Sequence, residues 1–257
     1  MKSPVDIRDL YAQIFFMILL LFLIFNYAFK DGIPTCNHYI MNVYLYIALG
    51  FTLIGTLLYI YEKYQFKPNM IFFFANFIFV LILIFMIQMV HQQKMIILNH
   101  ILWLLILVGF TNMLYPMVSD STLKPYINKT IMMVICIFVL MTVVTYVYPK
   151  FFESTYSMMM TGLMIGLISI ILIELIDIMY KSVTGDWGLT GFNRGISYLV
   201  IIIFSILVSY DTTELKMKSR SCKESSLWNY PNYPSQSLAL MLDLMNLFVR
   251  ILGLQRD

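Results

Sequence analysis

The sequence predicts an all-α membrane protein, a polytopic bundle of eight membrane helices. The chain of 257 residues is 60% hydrophobic and only 12% charged, whereas ordinary soluble domains are about 25% charged. So few polar side chains cannot coat a globule, and most of the outer surface must therefore contact lipid. Long apolar blocks recur along the whole chain, and the period-two alternation of a membrane barrel is absent.

Eight apolar blocks have the length of a membrane-spanning helix, because a bilayer core of about 30 Å requires roughly 20 helical residues. The connections between them contain charges and helix breakers, such as KDG at 30–32 and KPN at 67–69. The blocks run approximately over Tyr11–Phe29, Met41–Tyr61, Met70–Val90, Ile96–Val118, Thr130–Tyr148, Tyr156–Tyr180, Gly191–Tyr210 and Ser235–Leu254.

The first block follows the start MKSPVDIRDLYAQ and could be interpreted as a secretory signal. The small-x-small pattern of a cleavage site is missing near Asn26–Asp31, which favours an uncleaved signal anchor. We predict that residues 1–34 form an additional membrane segment and that residues 35–257 form the main bundle. Because the block has neither a carboxylate nor a small-residue stripe, we expect it to pack outside that bundle.

The sixth block combines small and acidic residues. Gly162 and Gly166 form a GxxxG pattern, which lets two helix backbones approach closely. At 100° per residue, Asp177 falls about 20° from Gly166, and Glu174 lies about 60° from Asp177. We expect this face to pack inward. The alternative is that Asp177 pairs with Lys181 at the helix end, where spanning helices commonly carry charge.

The last block carries a polar stripe on an otherwise apolar helix. Asp243, Asn246 and Arg250 lie at positions i, i+3 and i+7, and Gln236 extends the stripe. A carboxylate at the centre of a spanning helix costs about 2.5–3.5 kcal/mol on insertion scales, so such residues usually face protein or a water-filled path. The apolar neighbours of Asp243 favour an inserted helix over one lying flat on the membrane.

A second acidic residue, Asp211, closes the apolar run of the seventh block in the string SYDTTEL. Its position alone fits either a polar helix end that faces lipid headgroups or a side chain directed into the bundle. Asp211 and Asp243 are nevertheless the strongest indication of function, because carboxylates are rare in such segments.

Cysteine and histidine content argues against a disulfide framework and a structural metal. The chain has three cysteines, Cys36, Cys136 and Cys222, and because this number is odd we expect no closed disulfide framework. Neither a CxxC pair nor a Cys/His cluster with metal-ligand spacing occurs. The net charge of +3 is small, and no basic stripe of the kind that binds nucleic acid is present.

The charges leave the membrane orientation open. If all eight blocks cross the bilayer, ten Lys and Arg residues lie on the side of the N-terminus and seven on the other side. The largest cluster, at positions 216, 218, 220 and 223, belongs to the side with seven. Positive charge in short loops favours the cytoplasm, so the total and the largest cluster indicate opposite orientations.

Two strings near the C-terminus resemble motifs of the transmembrane Bax inhibitor motif family. The string SYDTTEL at 209–215 resembles YDTQ-L, which ends the sixth helix of that family. The string SLALMLDLMNLF at 237–248 is similar to A-L-x-L-Y-L-D-I-I-N-L-F of its last helix. Weaker similarities are NVY at 42–44 to a K-V-Y string and PKFFE at 149–153 to T-K-x-D-F. The resemblance spans roughly residues 39–254.

The chain also departs from this family pattern. The family usually has seven membrane segments, so the resemblance implies a bundle of seven family-like helices plus one additional N-terminal helix, the block at 11–29. Thr213 stands where the family has the glutamine of YDTQ, and the connection Glu214–Pro234 is longer than usual. The family's basic residues after its second helix have only His91 and Lys94 as counterparts.

The resemblance implies a multi-pass protein of the endoplasmic reticulum, the Golgi or the plasma membrane that leaks Ca²⁺ and restrains programmed cell death. In bacterial relatives, the aspartates that match Asp211 and Asp243 approach each other and respond to pH. Two carboxylates in contact at low dielectric cannot both ionise, so they would share a proton. When deprotonated, they would repel each other and offer hard oxygen ligands to Ca²⁺.

The implied partners are the lipid bilayer, Ca²⁺ as the permeant ion, and membrane proteins that regulate cell death, with no cofactor and no nucleic acid. The abundance of Met, Ile, Tyr, Asn and Lys indicates an AT-rich coding genome. Large DNA viruses carry relatives of this family, so a viral origin is a further hypothesis.

The residues expected to support the Asp211–Asp243 pair are Asn246, Arg250, Glu174, Asp177, His91 and Lys94.

Three other functions compete with the ion leak. An intramembrane aspartyl protease also needs paired aspartates, but its GxGD string is missing beside Asp211, so we predict that the protein is not an enzyme. A seven-helix receptor would carry D-R-Y and helical N-P-x-x-Y strings, which this sequence lacks. A scaffold that binds partner membrane proteins without conducting ions would need the GxxxG face but not the aspartates.

Overall fold

The computed structural model describes residues 7–90, 95–184, 191–222 and 231–256. Within these segments, eight α-helices are long and apolar enough to cross a membrane, which confirms the predicted all-α polytopic fold. The helices are α1 Ile7–Ala28, α2 Tyr39–Lys63, α3 Met70–Met89, α4 Ile96–Val118, α5 Ile127–Val147, α6 Pro149–Thr184, α7 Gly191–Ser221 and α8 Tyr233–Gly253.

Local chemistry explains several helix boundaries. Before α3, the side chain of Asn69 accepts a hydrogen bond from the backbone N–H of Phe72 at 2.7 Å and so caps the helix. Pro149 opens α6, at a position where its missing N–H has no intrahelical partner to lose. Between α1 and α2, strands β1 (Phe29–Lys30) and β2 (Ile33–Pro34) form a two-residue antiparallel hairpin.

The hairpin turn consists of Asp31 and Gly32, whose φ angles are 53° and 78°. A positive φ at both central residues is what a type I′ turn requires, and Asp-Gly is a preferred pair for it.

Two helices are longer than the hydrophobic pattern predicts. Helix α6 begins at Pro149 rather than near Tyr156, and α7 continues to Ser221 rather than ending at Tyr210. The reason is that residues 211–221 keep the helical hydrogen bonds after the apolar run has ended. The prediction that 214–234 is a connection is therefore wrong for its first part, and Asp211 lies inside α7 rather than at its end.

The chain divides into two compact units, to which both α7 and α8 contribute. The first unit comprises residues 1–120 and 215–239, and the second comprises residues 121–214 and 240–257.

In the first unit, buried amide side chains connect α2, α3 and α4. The Nδ2 of Asn112 donates to Oδ1 of Asn76 at 2.9 Å, and Nδ2 of Asn76 donates to the carbonyl of Gly109 at 3.0 Å. The hydroxyl of Tyr61 donates to Oδ1 of Asn112 at 2.8 Å. Hydrogen bonds of this kind hold spanning helices together, because lipid offers the polar groups no other partner.

Also in the first unit, the start of α8 is attached to the connection between α1 and α2. The hydroxyl of Tyr233 donates to the carbonyl of Thr35 and accepts a hydrogen bond from Nδ2 of Asn42 at 3.1 Å. A disulfide joins Cys36 to Cys222, with the Cα atoms 5.8 Å apart. The expectation of no disulfide framework is thus corrected: an odd count excludes complete pairing but allows one bridge, and Cys136 is the free thiol.

Helix α1 packs against α2 within the first unit. The hydroxyl of Thr56 donates to Oε1 of Gln13 at 3.3 Å, and the α1 side chains of Leu20, Ile24 and Ala28 are buried. The division of the chain at residue 34 and the independence of the segment before it stay predictions.

In the second unit, the GxxxG face of α6 does not pack as predicted. Gly162 is exposed, and nothing lies within 4 Å of the position that its Cβ would take. Only Gly166 faces a neighbour, with Ile203 of α7 at 3.8 Å from that position. The expected inward packing is wrong for Gly162, because a small-residue pattern shows where close packing is possible without determining the rotation of the helix.

Candidate acidic site in the membrane-spanning helices

The string SYDTTEL of α7 is held by hydroxyl groups of α5 and α6. The Oγ of Ser209 donates to the carbonyl of Met141 at 3.2 Å, and Oγ1 of Thr145 donates to the carbonyl of Ser209 at 3.3 Å. The hydroxyls of Tyr210 and Thr155 are hydrogen-bonded at 2.9 Å. These contacts on two sides of α7 set its rotation and thereby the direction of the next side chain, that of Asp211.

The side chains of Asp211 and Asp243 are hydrogen-bonded to each other, which joins α7 to α8. Asp243 is only 5% exposed, and Asp211 is half-buried. The two aspartates that the sequence singled out thus contact each other between α7 and α8. Their part in ion passage stays a prediction.

The chemistry of this pair follows from its hydrogen bonding. A hydrogen bond between two carboxyl groups requires a proton on one of them, since two carboxylates can only accept. Among the described residues, the Oδ2 atom of Asp243 has no hydrogen-bond partner although it is buried. Such an acceptor is normally satisfied by protein, water or an ion. The pair can thus hold one proton and present a buried oxygen to water or a cation.

A third carboxylate, which the sequence did not single out, lies near the pair. The hydroxyl of Tyr156 in α6 donates to Oε2 of Glu214 at 2.6 Å, a short distance typical of a bond to an ionised acceptor. Tyr156 also interacts electrostatically with Asp211. Glu214 follows Asp211 by three positions and therefore shares its helix face, a signal that was available in the sequence. The contact from Tyr156 of α6 could not be predicted from the sequence.

The remaining residues of the predicted stripe on α8 are Asn246, Arg250 and Gln236. In the second unit, Nδ2 of Asn246 donates to the carbonyl of Leu242 in its own helix at 2.8 Å, and Arg250 is half-buried. In the first unit, Gln236 accepts a hydrogen bond from Nζ of Lys218 at 3.0 Å. Asn246 and Gln236 therefore each make a contact of their own within their unit.

Four of the predicted supporting residues have side chains that lie outside the described part of the structure. Glu174 and Asp177 belong to α6, but their side chains lie outside the described part of the structure. His91 and Lys94 lie outside the described residues altogether. Their supporting roles stay predictions.

The two carboxyl groups of the pair are the candidate metal ligands of this site. In the segments that the structure describes, no group of three or more Asp, Glu, His or Cys side chains could hold a metal ion. Ca²⁺ takes about six to eight oxygen ligands in proteins, so Asp211 and Asp243 would supply only part of its coordination shell.

The sequence model of the family described as Bax1-I, Inhibitor of apoptosis-promoting Bax1, matches residues 36–255. The matched region begins after α1, includes α2 to α8, and contains both Asp211 and Asp243. No curated protein and no solved structure matches the sequence.

Proposed function

Because the chain belongs to the Bax inhibitor family, we propose that it is a pH-sensitive Ca²⁺ leak channel that restrains apoptosis. The observation that carries the proposal is the hydrogen bond between Asp211 and Asp243 in two helices that are long and apolar enough to cross a membrane. Restraint of apoptosis is supported by the family description and not by this geometry.

In the closed state, Asp211 and Asp243 share one proton. The resulting hydrogen bond contributes about 1.5–3 kcal/mol, the range for bonds that involve a charged group. It holds α7 against α8 at the level of the pair.

In the open state, the shared proton is lost. Two carboxylates about 4 Å apart repel each other by about 4 kcal/mol at an effective dielectric constant of 20. This repulsion exceeds the hydrogen bond that it replaces, so α7 and α8 are expected to separate at the pair. A rise in pH therefore opens the channel, and a fall in pH closes it.

In the open state, the same carboxylates would form a transient binding site for the permeating cation. Carboxylate oxygens suit Ca²⁺, and the buried Oδ2 of Asp243 is an oxygen without a described hydrogen-bond partner. A pair of ligands binds Ca²⁺ more weakly than a complete shell. Weak binding suits conduction, because an ion must be able to leave each site.

The proposed function involves no catalytic step and no cofactor, with Ca²⁺ as the transported ion. Multi-pass membrane insertion is supported by the eight apolar helices. Residence in the endoplasmic reticulum or Golgi, or in the plasma membrane, and binding to membrane proteins that regulate cell death are parts of the same proposal.

Ca²⁺ flux from proteoliposomes that contain the purified full chain tests the proposal. We expect wild-type flux to increase as pH rises through the titration of the pair. Asp211→Asn and Asp243→Asn each remove the mutual repulsion, so the pH dependence should flatten while the fold survives. Asp120→Asn, in the connection that follows α4, is the matched control and should keep the wild-type profile. A wild-type pH response in both site variants would contradict the proposal.

A second candidate function is a membrane scaffold that binds partner proteins without conducting ions. The exposed Gly162, with open space beside it, favours this candidate because a partner helix could approach closely there. A Gly162→Leu variant would lose partner binding but keep Ca²⁺ flux if both functions exist. A pure scaffold would show no flux in the wild type.

A further inference from the structure

In the first unit, helices α1, α2 and α4 surround a cavity of about 390 Å³. Its deep end is formed by Tyr46 and Trp103, each only 2% exposed, together with His100. Its outer rim includes Phe25 of α1, which is 72% exposed, and Leu104 of α4. The cavity therefore leads from the outer surface of these helices to a buried aromatic end.

The few polar groups at the deep end are already hydrogen-bonded. The hydroxyl of Tyr46 lies 2.7 Å from Nε2 of His100, and Nδ1 of His100 lies 2.8 Å from the carbonyl oxygen of Ile96. Both ring nitrogens are thus engaged within the protein. The cavity offers a ligand hydrocarbon and aromatic surface, and a polar ligand would lose its hydrogen bonds with water on entry.

We propose that this cavity binds one acyl chain of a bilayer lipid. The helices that form it are candidate membrane spans, so its exposed rim faces the lipid phase. Its volume falls within the range of about 300–1,000 Å³ typical of ligand sites. An apolar cavity excludes water, and an empty one would forfeit the dispersion contacts of its walls. An acyl chain would restore these contacts, and the surrounding bilayer supplies acyl chains next to the rim of the cavity.

The site depends on α1, which supplies Met17, Leu21, Ile24 and Phe25 to its wall. These residues precede the region that matches the family, which begins at residue 36. The acyl-chain site is therefore not implied by family membership. It gives the additional helix a role independent of the Asp211–Asp243 pair, because the lipid chain would lie between α1 and the helices α2 and α4.

Trp103 provides a direct reporter of occupancy. In a full-length variant with Trp187→Phe and Trp228→Phe, Trp103 is the only tryptophan of the chain. The test is to reconstitute this variant in bilayers of phosphatidylcholine with brominated acyl chains, because bromine quenches indole fluorescence at short range. Brominated chains are expected to quench Trp103 strongly although the side chain is buried.

Two variants separate a chain inside the cavity from lipid around the protein. Leu53→Phe and Leu21→Phe enlarge side chains of the cavity wall and should each reduce the quenching, and Leu21 is exposed enough to tolerate the change. Leu19→Phe, on an exposed position of α1 outside the cavity, is the matched control and should leave quenching unchanged. Unquenched Trp103, or quenching that is the same in all folded variants, would overturn the proposal.

Discussion

At the residue scale, the acidic site contains two kinds of contact between side chains. Asp211 and Asp243 share a hydrogen bond in which both partners can ionise. Glu214 accepts a hydrogen bond from Tyr156, whose hydroxyl is a neutral donor. The Asp211–Asp243 hydrogen bond forms or breaks with the protonation of either aspartate. The Tyr156 hydroxyl, in contrast, stabilises an ionised Glu214. Under the proposed function, switching would fall to the aspartates and positioning to Tyr156.

Tyr156→Phe is expected to destabilise the fold by about 1.5 kcal/mol, the lower end of the range for a hydrogen bond to a charged group, because Glu214 is only half-buried. Unfolding of the purified protein in mixed micelles measures the loss. Tyr198→Phe, at an exposed position of α7, is the control and should change little.

The double variant Tyr156→Phe with Glu214→Gln completes a thermodynamic cycle. If the two residues stabilise each other, the double variant loses less than the two single variants combined. Strictly additive losses would show that the Tyr156–Glu214 hydrogen bond contributes nothing to stability.

At the scale of elements, the packing of α3 on α4 depends on a glycine. A Cβ at Gly109 would lie 2.2 Å from Cγ2 of Val80 and 3.7 Å from Oδ1 of Asn76. The helices approach so closely here that no larger residue fits without a shift. The same approach brings the Asn76 amide within reach of the Gly109 carbonyl.

Gly109→Ala is therefore expected to cost about 1–3 kcal/mol of stability, the usual range for overpacking. Thermal unfolding in detergent measures it, with Gly253→Ala as the control because nothing lies within 4 Å of that Cβ position. Adding Val80→Ala to Gly109→Ala should recover part of the loss. A Gly109→Ala protein as stable as the control would contradict the close packing of α3 on α4.

The disulfide is a second feature at this scale, because it joins the α1–α2 connection to the end of α7. On denaturing gels, the oxidised wild-type chain is expected to migrate faster than the reduced chain, since the bridge spans a separation of 186 residues. Cys222→Ser should abolish the difference, and Cys136→Ser should preserve it. A mobility difference that depends on Cys136 would show that the pairing is wrong.

At the scale of the whole molecule, α1 stands outside the matched family region yet packs against α2. Deletion of residues 1–34 is expected to leave the remaining helices inserted and the Cys36–Cys222 disulfide formed. Protease resistance and gel mobility of the truncated protein in membranes test this expectation. Complete aggregation of the truncated protein would mean that α1 belongs to the core. The acyl-chain site, in contrast, should disappear with the deletion.

Several features of the whole molecule could be predicted from sequence. The length and apolarity of the blocks predict eight spanning helices, because the bilayer core sets a minimum length that composition reveals directly. The motifs around Asp211 and Asp243 indicate the family, which the match over 36–255 confirms. The viral origin, the organelle and the ion stay predictions, since they depend on surroundings outside the chain.

Other features could not be read from the linear pattern. Hydropathy placed the end of α7 at Tyr210, but the helix continues to Ser221 because backbone hydrogen bonds, unlike membrane insertion, do not require apolar side chains. The GxxxG pattern likewise did not determine which way Gly162 faces. In both cases the sequence states what a segment can do, and packing against neighbours selects among the possibilities.

By itself, the sequence determined that this protein is a helical membrane bundle of the Bax inhibitor family with one aspartate in each of its last two helices. Only the tertiary structure decided that Asp211 bonds Asp243, that Tyr156 reaches Glu214, and that Cys36 pairs with Cys222. The physical reason is the range of the forces involved. Solvation by lipid acts on each segment separately and is visible in composition. Hydrogen bonds and disulfides act over a few ångströms, so their partners are known only once the helices have packed.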